Sequence, residues 1–170
     1  MNIKDIKKHF PIFEQKINGK SLVYLDSANS SQKPKKVIDS LNKFYSEDFA
    51  NVGRGIYTLA ANASEQYENT RLALKKFINA SDESEIIFTK NSTESLNLVA
   101  SCYGSKFINE GDEIISTELE HHANFVPWHF LRKKKGAVIK FLEIDDKGNL
   151  KIEDLEKLIT KKTKIISITH

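Results

Sequence analysis

The sequence of 170 residues lacks the features that mark several classes of protein. It contains a single cysteine, Cys102, so no disulfide can form within the chain. The N-terminal residues lack the apolar core of a secretory signal, and no run approaches the roughly 18 apolar residues that a membrane helix needs. We therefore expect a cytoplasmic protein with no membrane partner.

Motifs for binding nucleotides and nucleic acids are also missing. The glycine-rich phosphate loops of nucleotide-binding proteins do not occur. The basic runs at residues 133–135 and 161–162 have no aromatic residues among them, and the formal net charge is only +3. These runs are typical of solvated helix ends and loops, and we expect no nucleic-acid partner.

The residues that are present predict a soluble α/β protein. Hydrophobic residues make up 39% of the chain and charged residues 29%, as in globular domains. Strands and helices alternate from residue 86 onward, which predicts a largely parallel sheet. The predicted strands cover residues 22–25, 86–89, 113–117, 138–144 and 164–169. The predicted helices cover residues 3–10, 35–49, 63–78, 92–103, 124–135 and 152–159.

The turn after the predicted strand 86–89 is the most informative segment. Ser92 and Thr93 open a helix, and the first N–H groups of a helix are unpaired and lie at its positive end. Such a turn is a phosphate site. The same residues also fit a capping box, with Asn91 as the cap and Glu94 three residues later. The two interpretations are compatible, because both use the first helical turn.

Two imidazoles follow the next strand. His121 could cover a flat ring attached to a phosphate at Ser92 and Thr93, or it could be a structural histidine. A metal site formed with His122 and His129 is a weaker alternative, because adjacent histidines point apart. Cys102 lies in an apolar helical pattern, which predicts a buried small side chain rather than a nucleophile.

Longer motifs resemble a known family across essentially the whole chain. YLDSANSSQKP, ANVGRGIYTL, FTKNSTESLNLVA, GDEIISTELEHHANFVPW and the closing ITH are similar to the Suf-type (group II) cysteine desulfurases. These are fold-type I pyridoxal 5′-phosphate enzymes of the class V aminotransferase group. The resemblance implies release of sulfur from L-cysteine as an enzyme persulfide for iron–sulfur cluster assembly, with L-alanine as the other product. It also implies a homodimer and a sulfur-acceptor protein of the Suf system.

The resemblance also assigns roles to individual residues. Ser92 and Thr93 match the residues that bind the cofactor phosphate, and His121 matches the histidine that stacks on the pyridine ring and moves protons. The substrate-side positions are Asp26, Ser27, Ala28 and Arg54. Taken alone, the first three form a turn, and Arg54 is a surface cation on a loop with two glycines. Two departures are Gly53, where the family has histidine, and Asn29, where it has alanine.

The resemblance implies an incomplete protein. Residues 1–20 would be an N-terminal arm of the small domain, and residues 21–170 the N-terminal half of the large cofactor domain. No residue matches the lysine that holds the cofactor covalently or the persulfide cysteine. We therefore expect a truncated chain that is inactive alone and prone to aggregate. Other interpretations are a selenocysteine lyase or another class V enzyme, or a non-catalytic remnant that partners a full-length subunit.

Overall fold

The computed structural model describes residues 2–169 and divides between Ile86 and Ile87 into two compact units. The α/β class predicted from the sequence is confirmed. No helix in the described residues is long and apolar enough to cross a membrane. His170, which closes the ITH motif, lies outside the described residues.

The first unit is mostly helical. It begins with the short helix α1 (Ile3–Lys7) and an antiparallel hairpin of β1 (Lys16–Ile17) and β2 (Lys20–Ser21). The helix α2 (Lys35–Lys43) continues into a π-helical turn, and the helix α3 (Thr58–Phe77) follows a loop. Both long helices were predicted, although α3 begins five residues before the predicted start because Ala60 and Ala63 are already buried.

The strand predicted at residues 22–25 is wrong. No ladder includes these residues within the described part of the chain, and Leu25 remains 92% exposed. An apolar run of four residues can form a strand only where another strand satisfies its backbone groups. Between residues 2 and 86, the only ladder pairs the two residues of β1 with the two residues of β2.

The second unit is a three-stranded parallel sheet covered by helices. Its strands are β3 (Glu113–Thr117), β4 (Val138–Leu142) and β5 (Thr163–Ile166), and β3 lies in the centre. Its helices are α4 (Ser92–Val99), α5 (Ser105–Phe107), α6 (Val126–Lys135) and α7 (Leu155–Leu158). The predicted parallel sheet is confirmed. The predicted strands 138–144 and 164–169 are shorter in the structure.

The strand predicted at residues 86–89 is also wrong. The segment leads directly to α4 but belongs to no ladder among the described residues. Ile86 is buried, whereas Ile87 is 68% exposed. Its apolar, β-branched composition suits a strand, but composition supplies no hydrogen-bonding partner.

The core of the second unit lies between the central strand and the helices. Trp128 of α6 is 1% exposed and packs with Ile108, Ile114 and Leu131. Gly104 belongs to the π-helical turn Ala100–Gly104, and a Cβ atom there would lie 2.4 Å from a methyl group of Leu131. The glycine thus lets this turn approach α6 closely. The helix α6 ends at Gly136, whose φ of 72° is the left-handed conformation expected of a helix-ending glycine.

The prediction that Cys102 is buried is wrong. The thiol is exposed, not buried. The buried residues of its π-helical turn are Ala100 and Gly104, four positions apart. Residues separated by four lie on one helical face, so Cys102 midway between them faces away from the core.

Candidate functional site

The start of α4 combines a cap with unpaired donors. The Asn91 side chain accepts a hydrogen bond of 2.9 Å from the N–H of Glu94. The Glu94 carboxylate accepts from the N–H of Lys90 at 2.6 Å, so the second bond of the predicted capping box is made one residue earlier than expected. Within residues 2–169, the N–H groups of Ser92 and Thr93 have no hydrogen-bonding partner. Both side chains are exposed.

The imidazole pair lies on the segment that leaves β3. His121 caps a 3₁₀ turn, His122–Asn124, because its Nδ1 accepts a hydrogen bond of 3.0 Å from the N–H of Ala123. In the neutral ring the proton therefore resides on Nε2. The helix α4 lies against this turn. The structure thus brings the element that bears Ser92 and Thr93 beside the element that bears the histidines.

Two residues that sequence reasoning missed fix this segment. The Glu120 carboxylate accepts hydrogen bonds from Thr117 Oγ1 at 2.8 Å, from Asn124 Nδ2 at 2.6 Å and from the N–H of Thr169 at 2.7 Å. Asn124 Oδ1 accepts in turn from Trp128 Nε1 at 3.2 Å and from the Ser167 hydroxyl. The EHHAN motif could have indicated these two residues, because its carboxylate and its amide flank the two imidazoles.

An open cavity of about 420 Å³ lies at the carboxyl ends of β3 and β4. In parallel α/β sheets, ligands bind at this edge. Its lining residues are Thr117, Glu118, Glu120, His122, Phe125 and Phe141. The aromatic rings of Phe125 and Phe141 lie 5.9 Å apart and give it an apolar wall. His122 lines this cavity, whereas His121, the predicted stacking residue, is not among the lining residues.

The predicted substrate-side residues belong to the other compact unit. Asp26, Ser27 and Ala28 form an exposed turn, in which the Asp26 carbonyl accepts from the N–H of Ser30 at 3.0 Å. Arg54 is exposed and makes no ion pair with any described residue. Gly53 beside it has a φ of 120° and donates its N–H to Ser64 Oγ of α3 at 3.0 Å. Their role in binding a substrate stays a prediction.

The opposite end of β3 carries a structural ion pair. Lys140 Nζ lies 2.8 Å from Glu113 Oε1, and the hydroxyl groups of Thr160 and Thr163 donate to Oε2. The hydrogen bond from Lys140, followed by that from Thr160, lowers the pKa of the Glu113 carboxyl. Because Glu113 begins the strand and the cavity lies at its end, this pair holds the sheet and is separate from the site.

The described residues contain no group of three or more His, Cys, Asp or Glu side chains placed to hold a metal ion. The ring of His129, the third residue of the metal alternative, lies 4.3 Å from that of Phe125 and is tilted by 52° to it. The geometry therefore gives no support to a metal site at the histidines.

Comparison with known proteins decides the family. The sequence profile described as aminotransferase class-V matches residues 23–170. The chain belongs to the class-V aminotransferase family. It is 48% identical over 170 residues to a protein of Halalkalibacterium halodurans named as a probable cysteine desulfurase. The match covers all of this chain and 42% of that protein, so the chain spans less than half of the relative's length.

Solved structures of other proteins share the fold. The apo structure of a cysteine desulfurase from Thermococcus onnurineus matches with a TM-score of 0.87 and 38% sequence identity, over 99% of this chain and 40% of that one. A mutant of C-DES with glycine covalently linked to its PLP cofactor matches with a TM-score of 0.73 over 96% of this chain and 40% of that one. At 21% identity this second likeness shows the fold alone. The architecture predicted from the resemblance, part of a fold-type I domain, is confirmed.

Proposed function

We propose that this chain supplies the phosphate- and ring-binding part of a pyridoxal 5′-phosphate-dependent cysteine desulfurase. The observation that carries the proposal is the pair of unpaired N–H groups at Ser92 and Thr93. They open a helix that lies against the turn bearing the imidazoles. The 48% identity to a probable cysteine desulfurase supports the choice of reaction.

The residues present fit the phosphate of this cofactor. Two N–H donors and two hydroxyl groups, at Ser92 and Thr93, stand at the positive end of α4. The cap leaves them free, because Asn91 takes the N–H of Glu94 and not those of Ser92 or Thr93. A phosphoryl group bound there would satisfy donors that otherwise depend on water.

The cavity fits a flat ring. It lies at the carboxyl edge of the sheet and has an aromatic wall formed by Phe125 and Phe141. We assign His122 to the cavity wall. We keep His121 as the residue of the ring face: it is exposed and does not line the cavity, so the ring would lie at the cavity margin next to His121, whose Nε2–H can donate a proton. When bound, the cofactor supplies an electron sink for negative charge that develops on the substrate.

L-Cysteine is the proposed substrate, and Asp26, Ser27, Ala28 and Arg54 are the proposed substrate-side residues. The guanidinium of Arg54 suits a carboxylate because it presents paired donors. The finer assignment is to the Suf type, acting in the cytoplasm as a homodimer that passes sulfur to an acceptor protein for iron–sulfur cluster assembly. The EHHANFVPW and NSTE motifs support that assignment.

We also propose that the isolated chain does not release alanine from cysteine. By resemblance, no residue of this chain matches the lysine that holds the cofactor or the cysteine that receives the sulfur. Both groups perform covalent steps that binding alone does not replace. Purified chain incubated with L-cysteine and pyridoxal 5′-phosphate should yield no alanine, and enzyme-dependent alanine would refute this part of the proposal.

Cofactor binding is tested without the reactive aldehyde, which would label surface lysines. Equilibrium dialysis should show that the chain binds pyridoxine 5′-phosphate more tightly than pyridoxine. Ser92→Pro removes one N–H donor, and proline is tolerated at the first helical position after an extended residue such as Asn91. Ser92→Ala is the matched control that removes only the hydroxyl.

The expected loss for Ser92→Pro is about tenfold or more in affinity, because a hydrogen bond to a charged group contributes roughly 1.5–3 kcal/mol. The loss for Ser92→Ala should be smaller. Equal binding of the two ligands, or binding of neither, would overturn the phosphate assignment.

A further inference from the structure

The segment between β3 and α6 is clamped at both ends by side chains to which the sequence assigned no role in the site. Glu120 precedes the two imidazoles and Asn124 follows them. Glu120 accepts from Thr117 at the end of β3 and from the N–H of Thr169, which follows β5. Asn124 accepts from Trp128 of the core and from Ser167. A bond of 2.6 Å joins the two side chains directly.

We propose that Glu120 and Asn124 are positioning residues that hold the imidazoles of His121 and His122 against the carboxyl edge of the sheet. This inference rests on the proposed function, because positioning the histidines serves a purpose only if they contact the cofactor. Glu120 also lines the cavity, but both of its carboxylate oxygens already accept hydrogen bonds from the protein, so we assign neither residue a contact with the substrate or cofactor. They act through the histidines.

The hydrogen-bonding partners of Glu120 and Asn124 allow only one orientation of the Asn124 amide. Two donors, Trp128 Nε1–H and the Ser167 hydroxyl, point at Asn124 Oδ1, which turns Nδ2 toward Glu120. The carboxylate of Glu120 offers only acceptors, and its two oxygens take three donors. Because Trp128 is 1% exposed, this network connects the exposed histidines to the core.

The positioning has a directly measurable reporter. His121 Nδ1 accepts from the N–H of Ala123, which lies inside the clamped segment. Movement of the segment would break this bond and release the imidazole to exchange between its two neutral tautomers. The ¹⁵N chemical shifts of Nδ1 and Nε2 distinguish a fixed tautomer from an exchanging pair, and they require no ligand.

A charge swap tests the pair. Glu120→Gln places an amide donor against the Asn124 amide donor, and Asn124→Asp places a carboxylate against a carboxylate. The double variant E120Q/N124D restores one donor opposite one acceptor and keeps every other partner. Each single variant should bring the His121 ¹⁵N signals toward the average of the two tautomers and weaken binding of pyridoxine 5′-phosphate severalfold. The double variant should recover both.

Folding is monitored by the fluorescence of Trp128, the single tryptophan. If a single variant does not fold, Ser167→Ala serves as the milder test. It removes one donor to Asn124 and should shift the His121 signals in the same direction by a smaller amount. Unchanged imidazole signals in the folded single variants, or no recovery in the double variant, would overturn the inference. Recovered signals in a chain that binds no ligand would support the positioning and reject the proposed function.

Discussion

Single polar side chains along β3 differ in whether they find a partner. Thr117 Oγ1 donates to Glu120 and accepts from the N–H of Leu119 at 3.2 Å. The neighbouring Ser116 hydroxyl is fully buried and has no hydrogen-bonding partner among the described residues. A buried hydroxyl without a partner destabilises the folded state, whereas a satisfied one contributes to it.

The Ser116→Ala substitution should therefore stabilise the second unit by about 1 kcal/mol, because the unpaired hydroxyl is removed at little loss of packing. Thr117→Val, the matched control on the same strand, should destabilise it by about 1 kcal/mol, because Glu120 loses a donor. Urea unfolding followed by Trp128 fluorescence measures both changes. A Ser116→Ala variant that is less stable than the natural chain would show that the hydroxyl has a partner.

Glu113 should make the second unit sensitive to acid. The hydrogen bond from Lys140 lowers the pKa of Glu113 in the folded chain below its value of about 4.3 in an unfolded one. The folded state then binds the proton less tightly than the unfolded state. The stabilisation is complete above the unfolded pKa and is lost as the pH falls through the lowered folded pKa.

The measurement is the urea midpoint as a function of pH, for the natural chain and for Glu113→Gln. The natural chain should lose stability more steeply below about pH 4.3 than the variant, which has no carboxyl to titrate. Lys140→Met is the control that removes the donor and keeps the carboxyl. Parallel curves for the natural chain and Glu113→Gln would contradict the role of the ion pair.

At the scale of the elements, two glycines with positive φ angles lie where a helix and a turn change the direction of the chain. Gly136 ends α6 with a φ of 72°, and a Cβ there would lie 2.9 Å from Glu110 Cγ. Gly148 has a similar φ of 82° in the turn after β4, but nothing lies within 4 Å of its missing Cβ. A side chain at Gly148 would therefore meet backbone strain alone, whereas a side chain at Gly136 would meet both backbone strain and a steric contact.

Both alanine substitutions should destabilise the chain, and Gly136→Ala should do so more. Placing a side chain in the left-handed region costs about 1–2 kcal/mol at either position. Gly136→Ala must also displace Glu110, which adds to the loss. Thermal unfolding of the two variants gives the comparison. Equal losses would show that the Glu110 side chain moves away freely.

Local patterns predicted the elements that depend on neighbouring residues. The boundaries of β3, the start of α4 at Ser92 and the glycine end of α6 all follow from periodicity and capping. The strands predicted at residues 22–25 and 86–89 failed because a ladder requires a partner that no local pattern reveals. Cys102 was misplaced because Ala100 and Gly104 are the residues of its turn that face the core, which leaves Cys102 on the opposite side.

The same distinction applies to the candidate site. Ser92 and Thr93 could be predicted as free donors because the first turn of any helix has them. The proximity of α4 to the histidine turn followed from the expected parallel sheet and is observed. The roles of Glu120 and Asn124 could not be predicted, because Thr169 and Ser167 lie 49 and 43 residues away along the chain.

At the scale of the whole molecule, apolar side chains remain in contact with water. Ile56, Leu25, Phe77 and Val23 are among the most exposed large apolar residues. Within the described residues, the outer edges of β4 and β5 have no neighbouring strand. Exposed apolar surface and open sheet edges promote association, which is the physical basis for the predicted aggregation.

The two compact units bury very different amounts of apolar surface. In the described part of the first, residues 2–86, the buried apolar residues are Ala60, Ala63 and Ile86. The core of the second unit includes Trp128, three larger aliphatic residues and two alanines. Since apolar burial contributes about 25 cal/mol per Å², the first unit has much less to offset the entropy of its ordered backbone.

We therefore predict that the first unit unfolds at lower urea concentration than the second. The helices α2 and α3 contribute strongly to far-ultraviolet circular dichroism, while Trp128 reports only on the second unit. Circular dichroism should lose a large part of its signal before the tryptophan fluorescence changes. Trp128→Phe, followed by circular dichroism because it removes the single tryptophan, provides the control: it should leave the first transition in place and move the second to lower urea. Coincident transitions by both probes would instead mean that the chain unfolds as one cooperative structure, because a two-state transition gives every probe the same midpoint.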